Sequence, residues 1–100
     1  MRIDHLIGGK PVAGNDYFET INPATQEVLA EVAVGGEAEV NAAVAAAKAA
    51  FPKWAGLPAT ERARLMRRLG DLIAAHVPEI AGTETRDTGQ VIAQTGKQLI

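Results

Sequence analysis

The sequence predicts an α/β chain: short antiparallel strands in the first third, then three to four helices. Two patterns carry that prediction. As far as Gly36, short apolar runs are punctuated by Gly8-Gly9, Gly14-Asn15-Asp16, Asn22-Pro23 and Gly35-Gly36, the turn formers that bound strands. From Glu37 onward the apolar spacing changes to three and four, the period of a helix.

His5-Leu6-Ile7, Gly8-Gly9 and Lys10-Pro11-Val12 read as a hairpin, because paired glycines accept the positive φ angles of a tight primed turn. Pro11 has no N–H to give to a ladder, so its strand belongs at an edge. Tyr17 to Ile21 and Val28 to Ala33 form a second hairpin candidate. The latter alternates imperfectly, with Val28, Ala30 and Val32 on one face and Leu29, Glu31 and Ala33 on the other. In the connector, Pro23 disfavours helix at Asn22, whose side chain can bond the backbone ahead of it.

Glu37 to Phe51 has strong helix propensity, with Glu37 and Glu39 placed where the helix dipole favours negative charge. Val40, Ala43, Val44, Ala47 and Phe51 would be its buried stripe, and Pro52 should end the helix or kink its last turn. Trp54 and Leu57 would cover the corner before Pro58. Over Thr60 to Val77 the large residues Leu65, Met66, Leu69, Leu72, Ile73 and Val77 make one apolar stripe. Opposite it, Glu61 with Arg64 and Arg67 with Asp71 are spaced for ion pairs. Pro78 opens a third helix through about Glu84, and Gly89 is a candidate left-handed cap. Apolar residues then return at Val91, Ile92, Leu99 and Ile100.

One hundred residues with 47% apolar content and a net charge of −2 describe a folded, soluble chain. Its core material is thin, because nineteen of the apolar residues are Ala and nothing aromatic follows Trp54. There is no Cys, which removes disulfides, thiolate metal sites and a cysteine nucleophile from these residues. No run approaches the roughly 20 apolar residues that span a bilayer, and the opening MRIDHLIGG lacks a signal-peptide core. The chain reads as untargeted, with the cytoplasm as the default. A pI near 5.6 argues against nucleic acid as a partner.

Candidate sites are few. Neither G-x-G-x-x-G nor G-x-x-x-x-G-K-[ST] occurs. His76 and Glu79 have H-x-x-E spacing, but Pro78 between them separates two helices and argues against a metal. His5 reads as a strand-face residue. Arg62, Arg64, Arg67 and Arg68 read as a solvated, ion-paired helix face. By spacing alone, Asp87 reads as a capping carboxylate.

Four motifs in order resemble the start of the NAD(P)-dependent aldehyde dehydrogenase family. They are Ile21-Asn22-Pro23-Ala24-Thr25-Gln26-Glu27-Val28, the helix from Ala42 to Phe51 before Trp54, the run LPATERARLMRRLGDLI, and Glu84-Thr85-Arg86-Asp87-Thr88-Gly89. The resemblance implies an N-terminal segment of a cofactor-binding domain. It places the family's nucleophilic Cys, general-base Glu, oxyanion-hole Asn and nicotinamide site beyond this stretch, so the segment alone should be inactive. It also implies that the stripe from Leu65 to Val77 faces the rest of that domain, that the whole protein acts on a small aldehyde with NAD, and that it is a homodimer or homotetramer. From the same resemblance, the main-chain oxygens of Thr20 and Ile21 and the carboxylate of Asp87 would hold a monovalent cation, Na+ or K+. An all-oxygen set suits such a hard ion. Two departures stand out: Gln90 where the family often has Lys, and Gly36 where an acidic helix cap is usual. The alternative reading is a small autonomous helical module that docks through the stripe from Leu65 to Val77.

Overall fold

The computed structural model describes residues 1–98; the apolar pair Leu99-Ile100 lies outside the described residues. Five strands precede four helices: β1 (Arg2–Ile3), β2 (His5–Ile7), β3 (Lys10–Val12), β4 (Tyr17–Ile21), β5 (Val28–Ala33), then α1 (Glu37–Ala55), α2 (Ala59–Ala75), α3 (Val77–Thr88) and α4 (Ile92–Gln98). The residues group into two compact units. One comprises Met1–Thr20 with Ala30–Leu57, the other Ile21–Leu29 with Pro58–Ile100.

In the first unit, β2 and β3 pair antiparallel with His5 opposite Val12, Leu6 opposite Pro11 and Ile7 opposite Lys10. Gly8 and Gly9 have φ of 62° and 77°, the positive pair a primed two-residue turn needs. The second hairpin also forms, with β4 and β5 as hydrogen-bonded neighbours. Beyond it, β1 joins β5 in parallel, Arg2 opposite Glu31 and Ile3 opposite Val32, so the strands are not all antiparallel. A two-residue strand has no alternation to announce it. Flanked by β1 and β4, β5 buries Ala30 and Ala33 and half-buries Leu29 and Val32, a spacing of three in place of the expected two-faced alternation.

A polar knot ties the ends of these strands. The Tyr17 hydroxyl donates to Asp4 Oδ1 at 2.6 Å and accepts the Gly14 N–H at 3.0 Å. Arg2 meets Asp4 Oδ1 at 3.3 Å and lies 5.0 Å from the Tyr17 ring centre. Arg2 is exposed, so its ion pair contributes little, and the bonds of the half-buried Tyr17 matter more. Gly14 is required here for space. A Cβ on it would lie 2.9 Å from the Ala33 Cβ, 3.2 Å from the Asp16 carbonyl and 3.3 Å from His5 Nε2. His5 sits on β2 as expected, yet its Nε2 is buried with no hydrogen-bond partner among the described residues.

Helix α1 starts at Glu37 with Gly36 as N-cap. Gly36 has no side chain to cap with, so only the return half of a capping box forms, the Gly36 N–H donating to Glu39 Oε2 at 2.9 Å. That bond first, then the residue's own N–H and the nearby His5, hold the Glu39 carboxyl below its ordinary value of 4.5. Pro52 does not end α1. The helix runs on to Ala55, and the Gly56 N–H closes on the Pro52 carbonyl at 2.9 Å. Proline lacks a donor but keeps its acceptor, so turns ahead of it can still close. The expected buried stripe is not buried: Val40, Val44 and Phe51 are 59%, 49% and 65% exposed, and Ala43 and Ala47 are exposed too. Around β2, Glu39, Val40 and Ala43 share a cleft with His5, Leu6, Ile7 and Gly35, too small a surface to cover a 19-residue helix.

In the second unit, α2 carries the predicted apolar stripe except for Val77. The chain leaves helical geometry at His76 (φ −109°, ψ 9°), which makes Val77 the first residue of α3. Pro78 in the next position explains the break, since it has no N–H to give the Ala74 carbonyl and its ring crowds that carbonyl, so the α2 ladder cannot continue through it. The Glu61–Arg64 pair forms at 2.6 Å; among the described residues Arg67 and Asp71 form no ion pair. Helix α3 extends past Glu84 to Thr88 and ends on Gly89 in the left-handed conformation, φ 79° and ψ 7°. It packs against α4, where the buried Thr95 hydroxyl bonds Thr85 Oγ1 and the Ile92 carbonyl, both at 3.1 Å.

Three measurements check this fold. Gly14→Ala should lower stability by about 1–3 kcal/mol through overpacking, and Ala33→Gly in the same chain should restore part of the loss by removing the facing methyl. Additive losses in the double variant would show that the Ala33 contact is not the cause. Gly89→Ala places a side chain in the left-handed region, at a cost of about 1–2 kcal/mol, and 3.1 Å from Pro23 Cγ. Gly89→Asn should lose less, because Asn tolerates that conformation; equal losses would assign the effect to the Pro23 contact. Glu39, with its carboxyl held low in the fold, contributes stability that is present above about 4.5 and lost as pH falls through its folded value. Helicity by circular dichroism should therefore drop on acidification more in the parent chain than in Glu39→Gln. Glu61, also held low through its bond to Arg64, makes a second contribution of the same sign, which Glu61→Gln should remove.

Candidate functional site

The second unit brings one pair of motifs together. The connector after β4 is a closed loop in which the Asn22 N–H donates to the Glu27 carbonyl at 2.9 Å and the Gln26 N–H to the Asn22 carbonyl at 2.8 Å. Asn22 Oδ1 accepts the Ala24 N–H at 2.9 Å, the Asx bond expected from its side chain. Gln26 completes the closure with φ of 63°, a left-handed residue that nothing in its identity announced. Pro23, at the tip, lies against Gly89, the cap that follows the Arg86-Asp87-Thr88 end of α3.

Ile21 stands at the mouth of that loop and Asp87 two residues before the cap, both in the second unit, while Thr20 belongs to the first. Ile21 is 45% exposed. Asp87 is exposed, and its carboxylate has no hydrogen bond or ion pair among the described residues. Asp87 is not a capping carboxylate. It lies in the last turn, facing the negative end of the helix dipole, and the helix is closed by Gly89 donating its N–H to the Thr85 carbonyl at 2.9 Å. Its place therefore has no helix-stabilising explanation.

Elsewhere the chemistry is sparse. Among the described residues no group of three or more His, Asp or Glu gathers to hold a metal. His76 joins α2 to α3, its Nδ1 donating to the Leu72 carbonyl at 3.0 Å. With Glu79 it edges a cleft of about 380 Å³ that is otherwise apolar, lined by Leu72, Ile73 and Ile80. This cleft continues the exposed stripe of α2, where Met66, Leu69, Leu72 and Ile73 are 58%, 49%, 47% and 36% exposed. Four large apolar side chains in line on one helix exceed the scattered exposure of an ordinary surface. The residues present do not fit a dinucleotide: there is no glycine-rich loop between a strand and a helix, and the two Gly-Gly pairs are a hairpin turn and a strand-to-helix connection. No helix among the described residues is long and apolar enough to cross a membrane.

Comparison with known proteins gives this arrangement a context. The chain is 70% identical over 99 residues to the 5-carboxymethyl-2-hydroxymuconate semialdehyde dehydrogenase of Escherichia coli, covering 99% of itself and 21% of that enzyme. Its fold superposes on the crystal structure of HpcC from Thermus thermophilus with a TM-score of 0.93 at 39% identity, over 99% of this chain and 20% of that one. An NAD-dependent benzaldehyde dehydrogenase from Corynebacterium glutamicum matches with a TM-score of 0.90 at 34% identity, over 97% and 22%. The chain thus spans about a fifth of the length of the relatives it matches, and its strands and helices are the N-terminal part of the aldehyde dehydrogenase fold. Residues 11–99 match the family's sequence profile, and the chain belongs to the aldehyde dehydrogenase family.

Proposed function

We propose that this chain is the N-terminal segment of the cofactor-binding domain of an NAD-dependent dehydrogenase. The whole protein oxidises 5-carboxymethyl-2-hydroxymuconate semialdehyde to the carboxylate in the breakdown of 4-hydroxyphenylacetate (homoprotocatechuate). The observation that carries this reading is the 70% identity to the E. coli enzyme of that name, sustained over 99 residues. In this reading the whole protein is a cytoplasmic homodimer or homotetramer, and its other partner is the small aldehyde.

The role of the segment is structural. With no Cys it has no thiol to add to an aldehyde, and no dinucleotide loop to hold the hydride acceptor. It offers instead the apolar faces of α1 and α2, which the rest of the polypeptide covers. Fully burying one Leu, Ile or Met side chain stabilises by about 1.5–3 kcal/mol. Four such residues left about half exposed on α2 therefore forgo roughly 3–6 kcal/mol, a large part of the about 5–15 kcal/mol that stabilises a small domain.

Three experiments test the proposal. Incubated with the semialdehyde and NAD, the 100-residue chain should form no NADH above a blank. Exchanged for the matching residues of the E. coli relative, it should give a chimera whose kcat/KM lies within about tenfold of the parent, roughly 1.4 kcal/mol. A folded chimera that binds NAD but fails to oxidise the semialdehyde would overturn the reading of this segment as the equivalent of the E. coli one. Urea unfolding of the 100-residue chain, followed at Trp54, should be broad with a low slope, because its largest apolar faces are unburied. A steep cooperative transition would instead identify an autonomous module that docks through α2.

A further inference from the structure

We draw no further inference here: the strongest candidate, the cleft of about 380 Å³ at the α2–α3 junction where His76 and Glu79 edge Leu72, Ile73 and Ile80, is continuous with the apolar face already assigned to the rest of the polypeptide, and nothing in the structure shows a separate ligand in it.

Discussion

What the described residues bury is small. The buried apolar residues are Ala30, Ala33 and Ala81, and the buried polar one is Thr95. Small side chains let backbones approach closely, as the Gly14–Ala33 contact does in the first unit, but they remove little apolar area from water. Local order must therefore come from hydrogen-bonded devices. The primed turn at Gly8-Gly9, the Asx loop at Asn22, the Tyr17 knot and the left-handed cap at Gly89 are such devices. Each sets backbone direction without a large core, while bulky side chains of α1 and α2 stay exposed.

Glycine and proline signals were the most legible part of the fold. The first hairpin, the start of α1 and the cap of α3 follow from residues whose backbone preferences leave few options. The misreadings share a cause, since each depended on contacts distant in sequence or on which of two local preferences prevailed. β1 exists because β5 offers it an edge. Pro52 did not end its helix, whereas Pro78 was strong enough to detach Val77 from the α2 stripe.

The candidate site was less legible than the fold. Periodicity found the α2 stripe and could see that it needed a partner, but not that α1 would be as exposed. The position of Asp87 was misjudged through a general rule: polar residues near helix ends are often caps, yet the end at which a carboxylate helps is the N-terminal one. Motif order, rather than any single residue, pointed to the family, and residues 11–99 carry that match.

The second unit is discontinuous, with Ile21–Leu29 separated from Pro58–Ile100 by residues of the first. Its closure therefore has a time order. The β2–β3 hairpin and α1 need only near neighbours and can form on a microsecond scale, while the loop bearing Pro23 has to wait for α3 to present Gly89. During synthesis that delay leaves an early turn without its late partner until nearly all of the described residues have emerged. Any change that slows α3 would then lengthen the interval in which the loop is open to wrong contacts.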